Sequence, residues 1–284
     1  MVMSDNDAIY ENIDIEIKLF LEAIFLKYGY DFRNYSKAHL KRRVLHRLNL
    51  ADVESISEMQ YKVLHDSDFL KDVLKDFSIN VTEMFRDPDF YKALREEVVP
   101  ILKTYPFIKI WHAGCSTGEE VYSMTILLEE EGLLERTQIY ATDNNQLVLN
   151  TAKGASYPID SMREYDINYK KGGGRKQLSD YYTVQGDQVK FDPYFRKKIV
   201  FSDHNLVLDN VFAEVHMVVC RNVLIYFNRG LQSRVIKLFF DSIITGGIIA
   251  LGNKESLEYS THANHFEVLN KKQKIYLKKY SYNY

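Results

Sequence analysis

The stretch Ala113-Gly114-Cys115-Ser116-Thr117-Gly118-Glu119-Glu120 sets two glycines four residues apart, between a short apolar run and a longer amphipathic one. Glycines at a strand-to-helix turn let backbone approach a ligand closely and aim the helix's first N–H groups at it. The loop has neither the lysine of a phosphate-binding P-loop nor the third glycine of a dinucleotide fingerprint. By itself it reads equally as a structural turn or as a cradle for a nucleotide-like ligand. Two carboxylates sharpen the chemistry. Asp143 closes the next apolar run, where an acid can accept hydrogen bonds from two ribose hydroxyls; it could equally cap the helix that follows. Glu120 falls in the first turn of the helix after the loop, as a ligand group or as simple compensation of the helix dipole.

These groups need a scaffold that brings strand ends together. After Pro100 the sequence alternates short apolar runs (Ile108 to His112, Gln138 to Thr142, Ile199 to Phe201, Met217 to Cys220, Gly247 to Leu251) with helical segments (Glu119 to Glu130, Gln146 to Lys153, Leu231 to Ile244). That alternation predicts a mainly parallel, doubly wound α/β sheet, which binds ligands at the carboxyl ends of its strands. Residues 161–192 break the pattern: Lys170 to Lys176 reads as a flexible basic loop, and Tyr181 to Val184, Gly186-Asp187 and Val189 to Phe191 as a β-hairpin. This is a small antiparallel insertion. Upstream, Ile13, Ile17, Phe20, Leu21 and Ile24 recur at three- and four-residue spacing, making a helix that Gly29 stops. Further helices are expected from Tyr35 to Leu50 with Ser36 as N-cap, from Ser55 to Leu64, and from Asp66 to Leu74. The expected organisation is a helical domain over 1–91 and an α/β domain over 92–284.

Five blocks now combine: Phe77-Ser78-Ile79-Asn80-Val81-Thr82-Glu83-Met84-Phe85-Arg86-Asp87, Ser116-Thr117-Gly118-Glu119-Glu120, Ala141-Thr142-Asp143, Asn205-Leu206, and Cys220-Arg221-Asn222-Val223-Leu224-Ile225-Tyr226-Phe227. In order and spacing, from about Phe32 to Tyr276, the chain resembles the CheR-type chemotaxis receptor methyltransferases. The resemblance implies a class I S-adenosylmethionine-dependent methyltransferase of Rossmann-like fold, with an N-terminal helical domain and a β-subdomain insertion. It implies methyl transfer from S-adenosylmethionine to a receptor glutamate side chain, leaving a methyl ester and S-adenosylhomocysteine. It assigns Asn80, Thr82, Arg86, Gly114, Glu120, Asp143, Asn205, Leu206, Arg221 and Asn222 to the cofactor, and puts Arg86 and Tyr226 closest to the transferred methyl. Arg86 could orient the substrate's carboxylate or the cofactor's. Tyr226 could bind the incoming carboxylate, pack on the sulfonium, or be a core tyrosine.

The chain departs from the family where His216 and Lys254 stand in place of the usual acidic residue and serine. The helix from Tyr35 carries Lys37, Lys41, Arg42, Arg43 and Arg47; it reads either as a solvated surface or, by the resemblance, as the face that steers an acidic receptor coiled coil. A methyltransferase for another acceptor, or an adaptor that binds cofactor without turnover, are the competing readings. Net charge is −2 in 284 residues, which gives no bulk field for nucleic acid. The acidic, polar Met1 to Tyr10 is unlike a secretory signal, and no apolar run is long enough to span a bilayer. Cys115 and Cys220, the only cysteines, are too few for a metal cluster and are expected to be reduced and structural, in a cytoplasmic protein without metal.

Overall fold

The computed structural model describes residues 5–77 and 82–280. The chain divides into two compact units, Met1–Ile79 with Ile225–Leu231, and Asn80–Leu224 with Gln232–Tyr284. The division expected at residue 91 therefore falls earlier. The segment before Pro100 is helical in texture, but its Phe90, Tyr91, Leu94 and Val98 are buried in the core of the second unit.

The first unit is four helices: α1 (Asp5–Tyr28), α2 (Lys37–Leu50), α3 (Ile56–His65) and α4 (Ser67–Phe77). Phe20, Ile24, Val44, Met59, Val63 and Val73 are fully buried between them, as the 3.6-residue period of their apolar stripes requires. The Gly29 N–H closes α1 on the Phe25 carbonyl at 2.8 Å. The Ser55 hydroxyl caps α3 by accepting the Glu58 N–H at 3.2 Å. Ser36 precedes α2, but its hydroxyl makes no capping bond. Its N–H instead donates to the Tyr226 carbonyl at 2.7 Å, and Tyr35 bridges to Phe227. These bonds draw Ile225–Leu231 into this unit.

The second unit begins with α5 (Pro88–Ala93), which runs through a π-helical turn (Leu94–Val98) into α6 (Val99–Leu102). Then come β1 (Ile108–Ala113), α7 (Glu119–Glu130), β2 (Thr137–Asp143) and α8 (Gln146–Gly154). The insertion follows as β3 (Ser156–Pro158), α9 (Met162–Lys171), β4 (Tyr182–Gln185) and β5 (Gln188–Phe191). The chain closes with α10 (Pro193–Lys197), β6 (Ile199–Asp203), β7 (Val215–Cys220), α11 (Arg229–Ser242), β8 (Ile243–Leu251), β9 (Phe266–Asn270) and β10 (Ile275–Lys278). The main sheet is ordered β6-β2-β1-β7-β8-β10-β9. β6, β2, β1, β7 and β8 are parallel, whereas β10 and β9 are antiparallel. From β1 the chain steps outward to β2 and, after the insertion, to β6, then crosses back to the other side of β1 at β7, so the strand order reverses between β1 and β7. The gap between their carboxyl ends is the switch point where such sheets bind ligands.

α7 explains why the loop before it is held firmly. Val121 to Leu128 are all buried; Ser123 and Thr125 turn their hydroxyls back to the Glu119 and Val121 carbonyls at 2.7 Å, so neither is left unpaired. The insertion is a three-stranded sheet, β3-β5-β4, and starts at Ser156 rather than 161. The basic stretch expected to be flexible is pinned. Lys170 and Lys171 end α9, Arg175 donates to Glu131 Oε1 at 2.6 Å, and the Lys176 N–H donates to the Tyr169 hydroxyl at 2.9 Å. Burial raises the Glu130 carboxyl, but bonds from Tyr169, Arg175, Tyr181 and Arg95 overcome this and leave it lowered. One ionised side chain thus ties the insertion to α7.

Candidate active site

The loop between β1 and α7 is bound to the neighbouring strand. The Gly114 and Cys115 N–H groups both donate to the Thr142 carbonyl, at 2.8 and 2.9 Å. Gly114 sits at φ +77°, and a Cβ there would lie 2.5 Å from Val223 Cγ2. Gly118 sits at φ +96°, where a Cβ would meet Ala152 Cβ at 2.9 Å. Both glycines are therefore required by backbone conformation and by close approach. Cys115 is buried, and burial raises its thiol well above the usual range; with Cys220, also free and buried, it is a packing residue rather than a nucleophile.

Asp143 does not cap α8. The cap is Asn145, whose side chain accepts the Leu147 N–H at 2.9 Å. Asp143 instead reaches back to the glycine loop, where Oδ2 accepts the Ser116 N–H at 2.9 Å and Oδ1 the Asn145 N–H at 3.0 Å. Beside it, His204 N–H donates to the Asp143 carbonyl at 3.3 Å. Asn205 forms a tight turn with its Oδ1 on the Val207 N–H at 2.9 Å, and Leu206 is buried.

Arg221 is the hub. Its guanidinium donates to Glu120 Oε2 at 3.0 Å, to Asp87 Oδ2 at 2.6 Å and to the Arg86 carbonyl at 3.4 Å, and stacks 4.1 Å from the Phe90 ring centre. Glu120 gives its other oxygen to His112 Nδ1 at 3.0 Å. Burial raises the Glu120 carboxyl, but the His112 bond and the Arg221 charge outweigh it, so its pKa is lowered and it stays an ionised acceptor. The turn after Arg221 holds Asn222 at φ +62°. Glu255 fixes it by accepting the N–H groups of Asn222, Val223, Leu224 and Gly252 at 2.6–3.1 Å. Across the site, Phe85 and Asp87 also have φ near +50° to +60°, and the Phe85 N–H donates to Ser123 Oγ at 2.9 Å. Strained non-glycine backbone gathered in one place is a mark of a functional centre. Among the described residues of this site, the buried Ser116 Oγ, His112 Nε2 and Arg221 Nε have no hydrogen-bond partner, hydrogen-bonding capacity that a polar ligand would use.

A family model described as the CheR methyltransferase SAM-binding domain matches residues 80–275, and one described as the CheR methyltransferase all-alpha domain matches 15–78. The chain belongs to the CheR methyltransferase family. It is 53% identical to the Cher3 protein of Pseudomonas putida, over 94% of this chain and 98% of that one. It is 28% identical to the chemotaxis protein methyltransferase of Listeria innocua over 81% and 85% of the two chains. With chemotaxis protein methyltransferase 2 of Vibrio cholerae the identity is 26%, over 86% of each.

In this CheR-family chain Gly114, Glu120, Asp143, Asn205, Leu206, Arg221 and Asn222 follow the carboxyl ends of β1, β2, β6 and β7, the Arg86 carbonyl joins them through Arg221, and Thr82 belongs to the same unit. Asn80 lies outside the described residues. Tyr226 belongs to the first unit, where its ring lies 5.6 Å from that of His39. The basic residues of α2 do not form one face. Lys41 pairs with Asp14 of α1 at 2.7 Å, while Arg43 donates to the Asp76 carbonyl and Arg47 to the Asp76 carboxylate of α4. At about 100° per residue, these charges flank the buried stripe of Leu40 and Val44 on its two sides. Lys37 and Arg42 are exposed.

Three structural contributors were not singled out from sequence: His112, Asp87 and Glu255. His112 reads as an ordinary end-of-strand residue, and Asp87 as the tail of a motif. Only the pairing of distant segments shows what they hold. Among the described residues, no group able to hold a metal occurs and no helix is long and apolar enough to cross a membrane. His216 accepts the Lys109 N–H on Nδ1 at 3.0 Å. Burial, with Lys109 nearby, lowers its pKa, which keeps that acceptor available.

Proposed function

We propose that this protein transfers a methyl group to glutamate side chains of chemotaxis receptors in the cytoplasm, forming methyl esters. The observation that carries the reading is the Arg221 hub. It joins the Thr82–Asp87 segment, through Asp87 and the Arg86 carbonyl, to the glycine loop, through Glu120. That segment is one of the motif blocks by which the chain resembles the CheR-type methyltransferases, and the hub ties it to the glycine loop.

The cofactor S-adenosylmethionine supplies an electrophilic methyl when bound. Thr82, Arg86, the Gly114 backbone, Glu120, Asp143, Asn205, Leu206, Arg221 and Asn222, with Asn80, would hold it. Glu120 and Asp143 each keep lone pairs free after their internal bonds, since a carboxylate has about four acceptor sites. The acceptor needs no strong base, because a glutamate with pKa near about 4.3 is already ionised at neutral pH. What the protein must provide is alignment and exclusion of water, and orientation alone is worth roughly 7–11 kcal/mol. Arg86 supplies a positive charge to orient a carboxylate. The relatives named as chemotaxis protein methyltransferases support the choice of acceptor.

The test is incubation with methyl-labelled S-adenosylmethionine and chemoreceptor-containing membranes, followed by mild alkali. Volatile methanol released from a receptor band is expected. Alkali-stable label, or label on another acceptor, would overturn the assignment.

A further inference from the structure

A second charged feature lies on the same rim as the site. β10 runs antiparallel to β8, with Ile275 opposite Ala250 and Leu277 opposite Ile248. The turn that joins β9 to β10 therefore lies at the end of the sheet where β1, β7 and β8 finish. Its sequence is Lys271-Lys272-Gln273-Lys274. This turn is held in place. The Leu251 N–H donates to the Lys274 carbonyl at 3.0 Å, Asn270 Oδ1 accepts the Gln273 N–H at 2.8 Å, and Asn270 Nδ2 donates to Glu97 at 2.6 Å. Gln273 is buried, whereas Lys271 and Lys272 are exposed.

Three residues past Leu251, Lys254 is also exposed, and its neighbour Glu255 is the group that fixes the Arg221–Asn222 turn. Lys254 and the three turn lysines thus lie on segments joined by the Leu251–Lys274 bond, which puts positive charge at the end of the sheet that carries the Arg221–Asn222 turn. The acids nearby offset little of it. Lys272 meets Asp89 at 3.1 Å, but the lysine side chain is 80% and the aspartate 59% exposed, and pairs this exposed contribute little.

We propose that Lys254, Lys271, Lys272 and Lys274 form a docking surface for a carboxylate-rich segment of the acceptor protein, an inference that rests on the protein-glutamate reading above. The occupant is argued from charge. The reacting group of that acceptor is itself a carboxylate arriving at this rim. Lys272 already pairs with a carboxylate, that of Asp89 at 3.1 Å, the same contact the surface would make with an acidic polypeptide. The chain's net charge of −2 supplies no wider basic field for nucleic acid or an anionic bilayer.

The experiment uses the full chain and the variant K271E/K272E/K274E, with K271Q/K272Q/K274Q to separate neutralisation from reversal. Methyl transfer to a chemoreceptor cytoplasmic fragment is followed at low and high salt. Charge reversal should lower kcat/KM for the receptor at low salt by about tenfold or more, with neutralisation intermediate. The gap should close at high salt, and the KM for S-adenosylmethionine should not move. Wild-type kcat/KM in the reversed variant at low salt, or an equal loss of cofactor affinity, would overturn the proposal. Binding of fluorescent poly-L-glutamate, tRNA and phosphatidylglycerol vesicles is measured in parallel. Poly-L-glutamate bound by the wild type and lost in the reversed variant supports the surface even if no receptor is methylated, so failure of the catalytic reading is seen separately. Lysine-dependent binding of tRNA or vesicles in place of poly-L-glutamate would refute the occupant.

Discussion

Replacing Gly114 by alanine separates the conformation of the cofactor loop from its composition. At φ +77°, an L residue costs about 1–2 kcal/mol relative to glycine. The added Cβ would stand 2.5 Å from Val223 Cγ2 and 3.3 Å from Cγ1, and overpacking of this kind typically costs about 1–3 kcal/mol. Together these give about 2–5 kcal/mol, shared between stability and cofactor affinity according to whether the loop holds or moves. Val223→Ala removes both clashing carbons and leaves the backbone strain untouched. The double variant should therefore recover the steric part and keep a deficit of about 1–2 kcal/mol. Urea unfolding gives the stability share, and calorimetric titration with S-adenosylhomocysteine gives the affinity share, at about 1.4 kcal/mol per tenfold in Kd. If Gly114→Ala/Val223→Ala is no better than Gly114→Ala, the close approach of the two loops is not what demands glycine, and the reasoning fails.

Arg221→Met would leave Glu120 and Asp87 without their shared cation, and should lower stability by about 3–5 kcal/mol; adding Glu120→Gln should restore part of it, and an unchanged melting temperature would rule out the hub. His112→Leu frees one Glu120 oxygen from a charge-assisted bond worth about 1.5–3 kcal/mol and should weaken S-adenosylhomocysteine binding by tenfold or more in Kd (about 1.4 kcal/mol per decade), whereas His112→Asn, which keeps a donor, should retain most of the affinity. Glu119, 6% exposed, has its carboxyl pushed by burial from 4.5 up to about 7 despite the Thr117 bond. The folded state then keeps a proton that the unfolded chain releases, so this contribution is complete below pH 4.5 and is lost as pH rises through about 7. Against Glu119→Gln, which cannot titrate, the wild type should lose about 3 kcal/mol of relative stability over that window; parallel stability curves would contradict the burial argument.

Much of the α/β architecture shows in local pattern because local physics sets it. The run Glu119–Glu130 is bounded by a glycine and filled with apolar residues, and the helix has those same ends. β9 and β10 were not recognised, because Phe266–Asn270 is half exposed and its place in the sheet comes from pairing, not from an apolar run. β3 is three residues long, too short to carry a period. On α2, composition shows five positive charges but not which neighbouring acids take them; Asp14, Asp72 and Asp76 come from other helices. For Asp143, sequence leaves the ribose and capping roles open, and the fold excludes only the second, by giving the cap to Asn145.

The sequence by itself determined the alternation of the parallel strands with their helices, the glycine loop, the separate helical and α/β parts, and the motif blocks that mark the family. These follow from periodicity, turn chemistry and residue identity, all readable within a dozen positions. Tertiary structure alone decided that Arg221 would bind Glu120 and Asp87, that Glu255 would fix the turn after Arg221, and that a lysine turn from the antiparallel strands would stand on the same rim. Among such contacts are pairs 134 and 173 positions apart, and only the crossover order of the sheet brings them within hydrogen-bond reach.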